Sequence, residues 1–99
     1  MHVISSTRLV AFWAMHPDAV RPLRTWYRLA TTGNWAHFME LKRAFPSVDQ
    51  VGRLTVFDIG GNKYRLVAYL DYQTGKVFVR KVLTHAAYTK GGWKDDPWF

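Results

Sequence analysis

Two short segments in the second half of the chain carry side chains suited to acid–base and phosphate chemistry. The first contains Asn62, Lys63 and Arg65, and the second contains His85 and Tyr88. A guanidinium can engage two phosphate oxygens at once, and an imidazole exchanges protons near neutral pH. The two segments therefore indicate a site in which cations hold an anion and a histidine transfers a proton.

Lys63 and Arg65 are predicted to share one face of a strand, because Tyr64 and Leu66 alternate towards the apolar side. We predict Arg65 as a phosphate clamp and Lys63 as a second catalytic cation beside it. Two outward-facing cations repel each other unless an anion lies between them, which favours a phosphate site. The alternatives are a solvated strand arginine and a charged strand edge that discourages aggregation.

His85 follows the last predicted strand, a position where functional side chains are common. We predict His85 as the general acid or base. A one-turn helix would place Tyr88 on the same side, where it could stack on a base or bond a phosphate. The alternatives are a histidine bonded to loop backbone and a tyrosine at the rim of the core. His2 and His16 are expected at the edge of the core, and His37 on a helix surface.

Other polar residues are candidates for contacts that position a nucleic acid without reading its sequence. They are Asn62, Lys42, Arg43, Arg80 and Lys81. Arg80 joins the basic face if Val77 and Val79 point to the core. If Phe78 and Val82 point to the core instead, Arg80 lies away from the basic face. The alternation of side chains leaves both arrangements open.

The composition narrows the class of protein. The chain has 99 residues, of which 48% are hydrophobic and 16% aromatic, and this predicts one folded domain over residues 1–99. Its net charge of +7 favours a polyanion, an acidic protein or an anionic membrane surface as partner. The absence of cysteine excludes disulfides, thiolate metal sites and cysteine nucleophiles.

Neither a cofactor nor a membrane is expected. No histidine spacing resembles a zinc-binding helix motif, so we predict no metal site. The run Gly60-Gly61-Asn62-Lys63 lacks the spacing of a nucleotide-binding loop. The N-terminus shows no signal-peptide pattern, and no run approaches the roughly 18 apolar residues of a membrane span. These features suit a cytoplasmic protein.

Hydrophobic periodicity predicts an α+β domain in which helices precede most of the sheet. Residues 2–5 are a predicted first strand, with Ser5 or Ser6 capping a helix that Pro17 ends. A second helix with Pro22 in its first turn is expected to stop at Gly33. The predicted third helix is capped by Asn34 and closed by Pro46.

The second half is predicted to form an antiparallel meander. Its strands cover residues 54–58, 63–71 and 76–83, and they are separated by turns at 60–62 and 73–75. Residues 46–53 are expected to form a loop. The Gly91-Gly92 pair predicts a flexible tail over about residues 90–99.

Three segments, residues 1–27, 35–51 and 57–88, resemble the HigB toxins of the RelE-like superfamily in the family's order. The most specific runs are Asn62-Lys63-Tyr64-Arg65-Leu66 and Thr84-His85-Ala86-Ala87-Tyr88. The chain departs from the family pattern at Leu83, where glycine is common, and at Ala87 and Thr89, where acidic residues are common.

The resemblance implies a RelE-like fold, with a small antiparallel sheet flanked by two to three N-terminal helices. It also implies metal-independent cleavage of mRNA in the ribosomal A site. A cognate HigA-type helix-turn-helix antitoxin would neutralise the toxin, and operator DNA would be bound only through the antitoxin complex.

RNA supplies its own nucleophile, the 2′-OH. Cleavage without a metal therefore needs a base for that proton, a cation for the phosphorane and an acid for the 5′-oxygen. In this chain those groups must come from histidine, lysine, arginine and tyrosine. Composition by itself also fits a non-catalytic basic RNA-binding module, or an interaction protein whose basic face pairs with an acidic partner.

Overall fold

The computed structural model describes all 99 residues and contains one five-stranded sheet and four α-helices. The strands are β1 (His2–Ile4), β2 (Asp49–Val51), β3 (Leu54–Ile59), β4 (Tyr64–Asp71) and β5 (Lys76–Thr84). The helices are α1 (Thr7–Met15), α2 (Val20–Thr32), α3 (Phe38–Ala44) and α4 (His85–Lys90), with 3-10 turns at Pro17–Ala19 and Gly92–Asp95. None of the four helices has the length and apolarity that crossing a bilayer requires.

The sheet has the strand order β1-β5-β4-β3-β2, and this confirms the α+β class. Strands β2 to β5 pair antiparallel, but β1 runs parallel to β5, so the sheet is mixed rather than antiparallel. Alternation reports the face that a side chain takes and carries no information about the direction of the neighbouring strand.

Residues 46–53 are not the loop that the sequence predicts, because they include the edge strand β2. Asp49, Gln50 and Val51 pair with β3 through a tight turn at Gly52, where φ is +59°. Two of these three side chains are polar and exposed. The strand therefore shows no apolar alternation, and its pairing is set by the turn.

The main core lies between α1, α2 and one face of the sheet. Leu9, Leu23 and Trp26 from the helices are buried with Leu66 and Ala68 from β4. The predicted alternation of β4 is thus confirmed, as are the start of α2 near Pro22 and its end at Gly33.

The third helix begins later than the sequence predicts. Its N-cap is His37 and not Asn34. The ring of Trp35 packs edge-on against Phe45, with centroids 5.7 Å apart, and rests against the backbone of Gly33. This aromatic contact holds the chain before α3 out of a helical path.

The opposite face of the sheet is covered by the C-terminal segment, residues 91–99. The prediction of a flexible tail from about residue 90 is wrong in this respect, because Trp93 is buried and Trp98 and Phe99 pack against Val67 and its neighbours. The Arg53 amide donates to the Phe99 carbonyl at 2.7 Å. The aromatic side chains offset the mobility that the Gly91-Gly92 pair suggests.

Arg80 is the extra residue of β5 at a β-bulge opposite Val67 and Ala68. Val77 and Val79 face the core, so Arg80 takes the opposite face, as the first alternative predicts. Its guanidinium forms two 3.1 Å hydrogen bonds to Asp96 and lies 4.2 Å from the Trp98 ring centre. Arg80 therefore anchors the C-terminal segment.

The Arg80–Asp96 pair predicts a pH-dependent contribution to stability. Burial by itself raises the pKa of Asp96, but the Trp98 amide and the Arg80 guanidinium outweigh it and hold that pKa below 3.8. The stabilisation is present at pH values above 3.8 and is lost as the pH falls through the lower folded value.

We expect Asp96→Asn to lower the free energy of unfolding at pH 7 by about 1–3 kcal/mol, because it breaks a charge-assisted bond. Asp95→Asn is the matched control, since Asp95 is exposed, and should change stability by less than about 0.5 kcal/mol. Urea denaturation of the two variants at pH 7 and pH 3 measures the effect. An Asp96→Asn deficit that persists undiminished at pH 3 contradicts the account.

Candidate functional site

The β3–β4 hairpin positions the first group of candidate residues. Its turn needs glycine at Gly60 and Gly61, because φ is +63° and +69° at these positions. Asn62 and Lys63 complete the turn, and Arg65 on β4 lies directly across from Asp58 on β3. The turn therefore places one amide and two cations at one end of the sheet.

Arg65 is buried, with 8% of its surface exposed. Its Nε lies 3.1 Å from the Asp58 carboxylate, and its Nη1 donates to the carbonyls of Asn62 and Tyr64, each at 3.1 Å. Its Nη2 donates to the Asn62 side-chain oxygen. Arg65 thus points away from the main core as expected, but protein groups already engage most of its donors.

The segment that begins at Thr84 adjoins this hairpin. The His85 amide donates to the Lys63 carbonyl at 3.1 Å, and the Thr84 hydroxyl caps α4 by accepting from the Ala87 amide at 3.1 Å. The cap starts α4 at His85, whose side chain is exposed. The structure therefore brings together the two segments that the sequence singles out.

Tyr88 covers Arg65 from the side of α4. The guanidinium carbon lies 5.3 Å from the Tyr88 ring centre, within the range of a cation–π contact. Trp93 stacks on Tyr88 with centroids 5.2 Å apart and donates to its carbonyl at 3.0 Å. Both contacts restrain the ring, so its hydroxyl is the part best placed to meet a ligand.

Lys63 has a carboxylate partner outside the two predicted segments. Asp18, in the turn before α2, forms an ion pair with Lys63 and a 2.5 Å hydrogen bond with the Tyr64 hydroxyl. The bond to Lys63, and then that to Tyr64, lowers the pKa of Asp18. The same carboxylate raises the pKa of Lys63 and of Tyr64.

The two cations of the hairpin therefore need no external anion to balance their charge, because Lys63 pairs with Asp18 and Arg65 pairs with Asp58. A signal for each partner existed. Asp18 is the sole acidic residue before Glu40, and Asp58 flanks the predicted turn opposite Arg65. We call Asn62, Lys63, Arg65, His85 and Tyr88, with Asp18 and Asp58, the hairpin site.

The remaining candidates lie elsewhere. Lys42 donates to the carbonyls of Pro46 and Val48 at 3.2 and 3.0 Å, so it binds the chain that follows α3. The neighbouring Arg43 is exposed. Lys81 is half-buried at the β5 bulge and lines a groove with α1. Neither Lys42 nor Arg43 bonds to a residue of the hairpin site.

Two of the three histidine expectations are confirmed. His16 is half-buried and stacks on Phe12 with centroids 4.4 Å apart, and His37 is exposed at the start of α3. His2 is exposed rather than at the edge of the core. No three histidine, aspartate or glutamate side chains come together in a way that could hold a metal ion.

Comparison with known proteins places this arrangement in a family. A profile of the HigB toxins, described as the RelE-like toxic component of a toxin–antitoxin system, matches residues 19–91. The chain belongs to the HigB toxin family. The range matched by the HigB profile contains every residue of the hairpin site except Asp18.

Individual HigB relatives match along most of their length. The mRNA interferase HigB of Escherichia coli O6:H1 is 29% identical over 93 residues, which cover 91% of this chain and 90% of the relative. The mRNA interferase toxin HigB of Escherichia coli K12 is 31% identical over 91 residues, covering 89% and 88%. The mRNA interferase HigB of Shigella flexneri matches to the same extent.

The burial of Arg65 predicts that its removal affects stability as well as any activity. We expect Arg65→Ala to lower the free energy of unfolding by about 3 kcal/mol, because it leaves Asp58 and the turn oxygens without their donor. The double variant with Asp58→Ala should cost less than the sum of the single variants, by about 0.5–3 kcal/mol. Urea denaturation of the four proteins measures this coupling, and strictly additive losses would show that the pair contributes nothing.

Proposed function

We propose that this HigB-family toxin is a ribosome-dependent endoribonuclease that cleaves mRNA in the A site. The observation that carries the proposal is the bond between the His85 amide and the Lys63 carbonyl. It fixes an exposed histidine beside a turn that carries two cations. The relatives' description as mRNA interferases supplies the substrate class.

The proposed reaction uses the RNA's own 2′-OH and no metal ion. His85 removes the 2′ proton, and the 2′-oxygen forms a bond to the adjacent phosphorus as the bond to the 5′-oxygen breaks. Lys63 donates a proton to the leaving 5′-oxygen, and its ion pair with Asp18 holds the ammonium in place beside the turn. The products are a 2′,3′-cyclic phosphate and a 5′-hydroxyl.

Arg65 and Tyr88 take supporting parts in this proposal. The Arg65 guanidinium is held by Asp58 and by the turn, so it orients Asn62 and keeps the shape of the turn that carries Lys63. The Tyr88 hydroxyl contacts a phosphate oxygen, because the stacked Trp93 occupies its ring.

The RNA contacts proposed outside the reacting centre follow from exposure and charge. Asn62 accepts from Arg65 through its oxygen and keeps its amide NH₂ for a phosphate. Lys42, Arg43 and Lys81 contact phosphates of the message or of ribosomal RNA. Arg80, predicted as a fourth such contact, is instead paired with Asp96. Such contacts weaken with salt.

The partners follow from the family. We propose a cognate HigA-type helix-turn-helix antitoxin as the protein that neutralises this toxin, with operator DNA bound only by the complex. Because translating ribosomes are the proposed site of action, the protein is proposed to work in the cytoplasm.

The engagement of Arg65 favours a second candidate function, a non-catalytic module whose basic face only holds RNA. A guanidinium whose donors are engaged by Asp58 and Asn62 is suited to maintaining the shape of a binding surface. The two candidates differ in whether the message is cut, and His85 decides between them.

We expect His85→Gln to reduce mRNA cleavage by about 10²–10⁴-fold, because a positioned acid–base group contributes that much to rate. His37→Gln is the matched control, since His37 is another exposed histidine at a helix start. Cleavage is read by primer extension on an mRNA in a bacterial translation extract, and growth arrest is read after induction in bacteria.

Each outcome of this experiment is informative. Arrest and cleavage by wild type and by His37→Gln, with loss in His85→Gln, support the nuclease. Arrest without cut message supports the RNA-binding module. Undiminished cleavage by His85→Gln removes His85 from the reaction.

The Asp18–Lys63 pair gives a further prediction. We expect Lys63→Gln to slow cleavage by about tenfold or more, and Asp18→Asn to slow it less, because Asp18 acts through Lys63. In the double variant, Asp18→Asn should add almost nothing, since its target is gone. Single-turnover rates on ribosome-bound message give the coupling. Independent, multiplicative losses would show that Asp18 acts through another group.

A further inference from the structure

The outer edge of β3, on the side away from β4, is open next to the turn of the hairpin site. Strand β2 covers this edge only as far as Val56, which pairs with Asp49. Between Val56 and the turn at Gly60, β3 has no strand on its outer side. A pocket of about 260 Å³ lies here, and its lining includes Asp58, Ile59 and Gly60. We call it the β3-edge pocket.

The main chain of Asp58 points to this open edge. The Lys63 carbonyl points towards β5, where the His85 amide bonds to it. Main-chain groups alternate in direction along a strand, so those of Arg65 also point towards β5. Asp58 pairs with Arg65 across the hairpin. Its amide and carbonyl therefore point away from β4, and no main-chain hydrogen bond made outside the helices and sheet ladders reaches them.

The exposure of Asp58 agrees with this orientation. Asp58 is an exposed residue although its side chain is only 32% accessible, so its main chain contributes the larger exposed fraction. The flanking Phe57 and Ile59 are buried in the main core. The Asp58 carboxylate lies on the other face of the sheet, where it pairs with Arg65. The pocket therefore meets one free amide and one free carbonyl, while the carboxylate of the same residue is already paired.

The walls of the pocket are apolar. Pro22, Trp26 and Leu29 from α2 line it together with Phe45, which follows α3. Trp26 and Phe45 both pack edge-on against one core phenylalanine, at centroid distances of 5.4 and 5.0 Å. Leu29 is 44% exposed, and the Pro22 Cγ lies 3.6 Å from the position of a Cβ on Gly60. A flat ligand at the edge would therefore pack on the aliphatic surfaces of Pro22 and Leu29.

The open edge is too short for another strand. It offers one outward-facing residue, because Val56 already pairs with β2 and the Gly60 carbonyl accepts from the Lys63 amide. A strand of three or more residues would find main-chain partners for only one of them. A nucleobase needs no more than the pocket provides. Its Watson–Crick edge places a donor beside an acceptor, and its faces pack on apolar side chains.

Two cations flank the pocket on the side of α2. Thr25 belongs to the lining, and Arg21 and Arg28 lie four residues before it and three residues after it, at neighbouring positions of the helix surface. Both arginines are exposed, and neither forms an ion pair. They are placed to hold the phosphates of a nucleotide whose base lies in the pocket.

We infer that the β3-edge pocket binds one unstacked base of the mRNA near the scissile phosphate. The Asp58 amide donates to the acceptor of the base, the Asp58 carbonyl accepts from its donor, and Pro22 and Leu29 pack on its face. The inference rests on the proposed function. Asp58 belongs to both sites, so RNA held at the hairpin site brings a neighbouring base to the pocket.

Leu29→Glu tests the pocket, and Val10→Glu is the matched control, because Val10 is 51% exposed on α1 and lies outside the pocket. The fluorescein-labelled probes are octadeoxyadenylate and an abasic deoxyribose octamer, which lack the 2′-OH and cannot be cut. We expect wild type to bind octadeoxyadenylate about tenfold more tightly, through packing and hydrogen bonding of a base. Leu29→Glu should reduce this ratio to less than about twofold, whereas Val10→Glu should keep it, because added charge affects both backbones alike. Circular dichroism and thermal unfolding establish that each variant is folded.

A second measurement reports on Asp58 directly. In two-dimensional proton–nitrogen spectra of the wild type, octadeoxyadenylate should shift the Asp58 amide resonance along the saturation curve that fluorescence anisotropy gives. The abasic octamer should leave that resonance in place. The Thr74 amide is the internal control, because it bonds to Asp71 in the turn at the other end of β4, and it should respond to neither probe.

The outcomes separate this inference from the proposed nuclease. A wild type that leaves message uncut in a translation extract but binds both probes as expected overturns the nuclease and supports the pocket. Cut message, together with equal base dependence in wild type and Leu29→Glu, keeps the nuclease and overturns the pocket. If the Asp58 amide responds to an extended valine–threonine hexapeptide and not to octadeoxyadenylate, the edge binds a protein strand and the RNA assignment is wrong.

Discussion

A buried positive charge at the base of the β3–β4 hairpin constrains the rest of this molecule. A guanidinium taken out of water is tolerated only when carboxylate and carbonyl oxygens replace its hydration. Asp58 across the hairpin and the oxygens of Asn62 and Tyr64 do so for Arg65. These bonds fix the conformation of the turn. That conformation sets the direction of the Lys63 side chain and places the Lys63 carbonyl where it accepts from the His85 amide.

The aromatic residues that cover Arg65 also cover the second face of the sheet. Tyr88 lies over Arg65, Trp93 stacks on Tyr88, and the last aromatic residues extend the layer across β3 to β5. A small domain has little interior, so an apolar cover on both faces of its sheet increases the buried area substantially. The Arg80–Asp96 pair fastens this cover at its far end. The C-terminal segment is therefore part of the architecture that supports the hairpin site.

Charge is distributed in a way that serves both stability and the proposed activity. The three ion pairs join segments distant in sequence or across a hairpin, and they use three of the seven acidic residues. Most basic side chains consequently have no carboxylate partner. In the proposed reaction this positive field attracts RNA, while the ion pair with Asp18 raises the pKa of Lys63. In that proposal, proton transfer and phosphate binding fall to neighbouring groups with different electrostatic surroundings.

The amino-acid sequence by itself determined the α+β class, the alternation of β4, the limits of α2 and the two segments that meet at the hairpin site. These follow from local periodicity, from glycine at positive φ and from short motifs, all of which are written along the chain. Only the tertiary structure decided that β1 runs parallel, that β2 exists, that Arg65 is buried and that Asp18 holds Lys63. Strand direction, burial of a charged side chain and the choice of Lys63 as the partner of Asp18 depend on how elements pack, and no local pattern encodes them. The covered second face of the sheet was also decided by the tertiary structure alone. The Gly91-Gly92 pair indicates mobility, and only the packing of Trp93, Trp98 and Phe99 offsets it.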